Sequence, residues 1–189
     1  MAKKTNSPAL PLPGERTIEA EIARMIRVDH AGEYGAARIY DGQLAVLGQD
    51  HPLYPKIKEM KDQEDEHLKT FDGLVIERGV RPTVLNPFWH GAGFAMGAVT
   101  ALMGEKAAMA CTAAVEEVIE EHYQDQINKL DHWGVEKDLN KTIKKFQADE
   151  VQHKETAIEF GAEETPGYRL LSETIKTGCR TAIWLSKRI

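Results

Sequence analysis

Twice in this 189-residue chain an apolar helical stripe is interrupted by a glutamate and a histidine three residues apart, and a fold that buries such pairs must give them partners. Ile57, Met60, Glu64, His67, Phe71 and Leu74 advance by alternating threes and fours, the step of one face of an α-helix. Leu139, Ile143, Phe146, Glu150, His153, Ala157 and Phe160 do the same. A buried carboxylate without a partner costs several kcal/mol or neutralises itself, whereas a shared cation satisfies carboxylate and imidazole together. One Glu-x-x-His tetrad carries little weight, since about one arises by chance in a chain of this composition. Two, each in register with a core stripe, carry much more.

Each tetrad also follows a stripe that contains another glutamate. Ile22, Ile26, Asp29, Glu33, Ala37, Tyr40 and Leu44 share a face, as do Met109, Ala113, Glu116, Glu120, Tyr123, Ile127 and Leu130. Glu116 follows Glu33 by 83 residues and Glu150 follows Glu64 by 86, so the two halves differ by one short loop and read as an internal duplication. Glutamate, then Glu-x-x-His, twice over, is the side-chain recipe of a dinuclear metal site in a ferritin-like bundle. The expected fold is therefore all-α: a ferritin-like four-helix bundle with an added apolar crossover helix and a C-terminal helix.

Composition agrees with one helical domain over residues 17–189, large enough for a sizeable core. Cys111 and Cys179 are far apart and form no C-x-x-C, so neither a disulfide framework nor a rubredoxin-type iron centre is indicated, and both read as small buried residues. A net charge of −6 argues against nucleic acid.

The Pro-rich segment 1–16 lacks the pattern of a signal or transit peptide and reads as a disordered arm. Helices are expected over Thr17–Leu47, Pro55–Arg78, Glu105–Leu130 and Lys137–Phe160. Between the halves, Phe88 to Met103 carries no Asp, Glu, Lys or Arg. It is too short to cross a bilayer and is either a buried crossover helix or one lying in a membrane interface. The last segment, Pro166 to Ile189, mixes Trp184 with Arg180, Lys187 and Arg188, which suits a headgroup boundary or a docked C-terminal helix alike. Gly91-x-Gly93 is no dinucleotide loop, because no strand precedes it and the third glycine is missing.

Several runs resemble one family closely. Arg27-Val-Asp-His-Ala-Gly-Glu-Tyr-Gly-Ala36 with Arg38-Ile-Tyr, Asp62-Gln-Glu-Asp-Glu-His-Leu, Val80-Arg-Pro-Thr, Ala110-Cys-Thr-Ala-Ala-Val-Glu-Glu and His122-Tyr123 are similar to the demethoxyubiquinone hydroxylases of ubiquinone biosynthesis. The resemblance runs from about Ile18 to the C-terminus. It implies a di-iron monooxygenase that hydroxylates a demethoxylated polyprenyl benzoquinol, 3-demethoxyubiquinol, with O2 as cosubstrate and NADH as a reductant. By the same resemblance Glu33, Glu64 and His67 hold one Fe ion and Glu116, Glu150 and His153 the other, with Glu64 and Glu150 bridging. All six positions match the family's ligand pattern.

A tail that lives in the bilayer shifts the reading of Phe88–Met103 and of the C-terminal helix toward the interface. It implies a peripheral membrane protein with a lipid-binding accessory partner, on the cytoplasmic face of a bacterial cell membrane or, alternatively, the matrix face of the mitochondrial inner membrane. Tyr123, seven residues after Glu116 and so on its face, is a candidate for the substrate pocket or for contact with a ligand, and equally a core aromatic; His122 points elsewhere on ideal helix geometry. A ferritin-like iron oxidase or store would use the same ligands without needing the uncharged helix, and a membrane-attached scaffold would need none of them.

Overall fold

Alternation of apolar threes and fours produces long helices in this chain, and the computed structural model, which describes residues 16–189, contains six of them and no strand among those residues. They are α1 (Ile18–Leu47), α2 (Tyr54–Glu77), α3 (Asn86–Leu102), α4 (Glu105–Trp133), α5 (Lys137–Glu159) and α6 (Tyr168–Ser186), with a 3-10 turn at Ala162–Glu164. Most of the arm expected over 1–16 lies outside the described residues. The boundaries follow local chemistry. Thr17 caps α1, its hydroxyl accepting from the Ala20 amide at 3.2 Å. Gly134 ends α4 in the left-handed conformation with φ 66°, which a residue without Cβ adopts at no steric cost. Phe160, expected on the α5 stripe, stands just past the helix end and is exposed.

α1 with α2 and α4 with α5 form two helical hairpins, joined by α3 and flanked by α6. Their apolar core is in two parts. One contains Ile22, Met25 and Ile26 of α1, Phe71 of α2, Ile127 and Leu130 of α4, and Leu139, Ile143 and Phe146 of α5. The other contains Tyr40, Ile57, Met60, Met109, Ala113 and Ala157 from the same four helices. On every helix the stretch between the two parts carries the glutamates and histidines singled out above, so the bundle encloses a polar layer between two apolar plugs.

The crossover helix docks on α1 by close backbone approach. Gly93 and Gly97 are buried, and a Cβ on Gly93 would stand 2.8 Å from the Gly35 carbonyl oxygen, while one on Gly97 would overlap the backbone of Ile39. Its other side, with Phe88, Val99, Leu102 and the following Met103, is exposed. The two sequence alternatives for this segment are therefore compatible: it is a crossover helix with one side packed and one side bare. α6 is likewise docked, through Ser172, Ile175 and Lys176, with Lys176 Nζ 2.7 Å from Glu117, yet it leaves Leu170 and Trp184 exposed. No helix among the described residues is long and apolar enough to cross a membrane.

Candidate metal centre

Four helices each contribute to the polar layer: Glu33 from α1, Glu64 and His67 from α2, Glu116 from α4, Glu150 and His153 from α5. All six are buried to 2% exposure or less. They fall into two overlapping groups whose potential ligand atoms lie within 4.8 Å of one another: Glu33, Glu64, His67 and Glu150, and Glu64, Glu116, Glu150 and His153. Glu64 and Glu150 belong to both. His67 Nδ1 stands 3.4 Å from Glu33 Oε2 and 3.1 Å from Glu150 Oε1, and His153 Nδ1 stands 3.2 Å from both Glu64 Oε1 and Glu150 Oε2. These separations are short enough for ion pairs, yet both oxygens of Glu64 and of Glu150, one oxygen each of Glu33 and Glu116, and Nδ1 of both histidines have no hydrogen-bond partner. Lone pairs that converge without hydrogens between them are an arrangement for cations, since buried polar atoms otherwise find partners. The residues present fit a pair of metal ions.

Electrostatics without a cation shows how unfavourable the layer is by itself. Burial, followed by repulsion from Glu150, raises Glu64 and Glu116 well above the ordinary glutamate range. Burial also raises Glu33, against the pull of its contact with His67. Glu150 takes the opposite course: burial pushes it up, but the close approach of the His153 and His67 imidazoles outweighs that and brings it down to about 2. Burial pulls His67 down, while Glu150 and Glu33 carry it up to about 10. The metal-free site therefore stores protons where a divalent cation would replace them.

Around the six lies a shell that holds their outer atoms. Tyr123 Oη donates to Glu33 Oε1, and Tyr40 Oη donates to Glu116 Oε1 at 2.6 Å, so each glutamate turns its other oxygen inward. Burial raises both tyrosines well above their ordinary range, which keeps the hydroxyls protonated as donors. The outer nitrogen of each histidine is also engaged, His67 Nε2 with Asp149 Oδ2 at 3.1 Å and His153 Nε2 with Gln63 Oε1 at 2.7 Å. Tyr123 thus touches the first-half glutamate rather than Glu116 of its own helix. Tyr40, Asp149 and Gln63 were missed as site residues from sequence. Tyr40 was findable, because it follows Glu33 by the seven residues that separate Tyr123 from Glu116. Asp149 and Gln63 carry no such signal, since each faces a histidine on another helix.

His122 stays out of the cluster. Its Nε2 lies 3.3 Å from Asp29 Oδ1 and 2.8 Å from Gln126, whose amide donates to Asp29 at 2.5 Å. This polar knot borders a cavity of about 570 Å³ between α1, α3, α4 and α6, walled by apolar side chains such as Ala36, Ile39, Met96, Val99, Val115 and Ile175. Glu33 and Tyr123 are also part of its wall. An apolar cavity of that size accommodates a small organic molecule, and it reaches the carboxylate layer.

A helical bundle enclosing four glutamates and two histidines in this arrangement is a ferritin-like carboxylate protein. The model of the family described as ubiquinone biosynthesis protein COQ7 matches residues 20–186, and the chain belongs to that family. It is 55% identical over 169 residues, 89% of this chain and 77% of the relative, to the mitochondrial NADPH-dependent 3-demethoxyubiquinone 3-hydroxylase of Dictyostelium discoideum. It is 50% identical over 178 residues, 94% of this chain and 83% of the relative, to the 3-demethoxyubiquinol 3-hydroxylase of Rhodospirillum rubrum. The mitochondrial 5-demethoxyubiquinone hydroxylase of Saccharomyces cerevisiae is 42% identical over 205 residues, which span 100% of this chain and 88% of the relative.

Proposed function

We propose that this chain hydroxylates the ring of 3-demethoxyubiquinol in ubiquinone biosynthesis, at two iron ions held by Glu33, Glu64, His67, Glu116, Glu150 and His153, with dioxygen as cosubstrate. The observation that carries the reading is the apolar cavity with Glu33 and Tyr123 in its wall, because it brings an apolar ring and tail against a carboxylate centre. The names of the relatives support the substrate and the reaction. Four carboxylates match the charge of two divalent ions, and oxygen and nitrogen donors are ones that iron accepts. Ferrous ions bound there would supply dioxygen with two electrons.

The protein's own work is positioning. Glu64 and Glu150 lie in both groups of candidate ligands and so would serve both ions. Tyr123 and Tyr40 fix the outer oxygens of Glu33 and Glu116. The apolar walls exclude water from the ring, while Asp29, His122 and Tyr123 offer polar contacts to quinol oxygens from one side of the cavity. A nicotinamide nucleotide is the reductant in this reading; the family resemblance implied NADH, and the Dictyostelium relative is named NADPH-dependent.

Peripheral attachment to a bilayer follows from the tail of the substrate. Phe88, Val99 and Leu102 of α3 and the adjoining Met103, with Leu170 and Trp184 of α6, supply exposed apolar side chains on two of the helices that border the cavity, which supports entry of the quinol from that side. A lipid-binding accessory protein would present the quinol to the same face. In this reading the membrane face is the cytoplasmic one of a bacterial cell or, alternatively, the matrix one of the mitochondrial inner membrane; the relatives include both an R. rubrum protein and mitochondrial ones.

Anaerobic reconstitution with ferrous iron, followed by oxygen and a reductant in the presence of a short-tailed demethoxyquinol, tests the reading by product mass. Gain of one oxygen atom on the ring is expected. Iron loading far above two per chain without ring oxidation would favour a ferritin-like iron oxidase or store.

A further inference from the structure

The duplication seen in sequence is a working two-fold relation in space. Glu116, Tyr123 and Gln126 follow Glu33, Tyr40 and Gln43 by 83 residues, and Glu150 and His153 follow Glu64 and His67 by 86. Contacts cross between the halves in matching fashion: Tyr40 bonds Glu116 and Tyr123 bonds Glu33, while Gln43 bonds Thr112 at 3.2 Å and Gln126 bonds Asp29, the counterpart of Thr112. His67 and His153 obey the same rule, each directing Nε2 to the residue just before the opposite tetrad. Here the relation breaks. Behind His67 is the carboxylate of Asp149; behind His153 is the amide of Gln63.

We propose that this mismatch makes the two metal positions unequal, with Asp149 as a positioning residue that renders the Glu33–His67 position the tighter of the two. Nε2–H donated to a carboxylate enriches Nδ1 as a donor more than the same hydrogen donated to a neutral amide. Asp149 has no cationic partner other than His67 among the described residues, so its charge is available to that imidazole. Asp29 adds a second carboxylate to the same half, one turn before Glu33, where the other half has Thr112; its contacts with His122 and Gln126 leave Asp149 as the main source of the difference. Loss of such an outer partner changes metal affinity by roughly 10–100-fold.

The inference rests on the dinuclear reading above. It is tested by titrating the metal-free full chain with Co2+, following the visible ligand-field spectrum and the amount bound. Repulsion between two ions separates the steps in any case, so the variants decide. Asp149→Asn is expected to weaken the first step by about tenfold or more, to alter the spectrum of the first equivalent and to leave the second step alone. Gln63→Glu is expected to tighten the second step by a similar factor and to change only the spectrum of the second equivalent. Weakening of both steps alike by Asp149→Asn, or no response of the second step to Gln63→Glu, overturns the asymmetry while two ions still bind. Binding of fewer than two Co2+ per unmodified chain overturns the dinuclear reading as well.

Discussion

Replacing Gly97 by alanine tests the packing that forms the cavity, because it adds one methyl group where two helix backbones meet. That Cβ would stand 2.8 Å from the Ile39 carbonyl carbon and 3.0 Å from its Cα, and it would overlap the carbonyl oxygen outright. The neighbours are backbone, so no rotamer change relieves them, and α3 must move away from α1 by on the order of 1 Å to restore ordinary contact. Overpacking of this kind costs about 3 kcal/mol, from which the better helix propensity of alanine recovers about 1 kcal/mol, leaving a net loss of about 2 kcal/mol. For a chain of this size that lowers Tm by roughly 4–8 °C. Gly91 is the internal control: it lies on the same helix, is exposed, and nothing stands within 4 Å of an added Cβ. Gly91→Ala should raise Tm by roughly 2–4 °C, since only helix propensity changes. Thermal or urea unfolding of the two variants measures the contrast. Because α3 lines the cavity, Gly97→Ala should also weaken quinol binding. If Gly97→Ala were as stable as Gly91→Ala, the close α1–α3 approach, and the cavity built on it, would be refuted.

Glu64→Ala or Glu150→Ala should remove most of both metals, whereas Glu33→Ala or Glu116→Ala should remove about one; two ions retained in either of the first pair, by metal analysis, would defeat the bridging assignment. Tyr40→Phe and Tyr123→Phe each withdraw a donor from a ligand carboxylate, a loss of about 1.5–3 kcal/mol that should appear as roughly 10–100-fold weaker binding of one ion. Tyr123 acts on the ions through its bond to Glu33, and unchanged metal retention in both variants would show the hydroxyls to be idle. The metal-free protein should lose stability as pH rises from about 6.5 toward 10, because His67 is raised to about 10 in the folded state, so its contribution is complete below the unfolded value and is lost as pH climbs through the folded one. Raised Glu33, Glu64 and Glu116 act in the same sense, while Glu150, lowered to about 2, acts oppositely and only below the ordinary glutamate range. A Tm of the metal-free form that increased over that alkaline span would contradict the assignment. Flotation with liposomes should be abolished by joint Val99→Asp and Leu102→Asp substitution and spared by salt, and binding that survived the pair would remove α3 from the interface. Phe94 is the wrong target for this test, since its ring packs against the Arg38 guanidinium at 5.1 Å, and Met96 turns inward to the core.

Helix positions, the two core halves and the buried layer of Glu33, Glu64, His67, Glu116, Glu150 and His153 were legible in the chain itself. The reason is that helical register is local: residues three and four apart share a face wherever the helix is later placed, so a polar pair on an apolar stripe can be recognised before any packing is known. The tertiary structure decided what register cannot encode, namely which side chains meet across helices. Whether His67 meets Glu33 or Glu116, whether Tyr123 bonds its own helix's glutamate or the opposite one, and whether a histidine's outer nitrogen finds Asp149 or Gln63 all depend on helix rotation and separation. Those are set by the packing of whole faces, such as the contact of Gly93 and Gly97 on α1, and the same packing of α1, α3, α4 and α6 creates a cavity to which no short stretch of sequence corresponds.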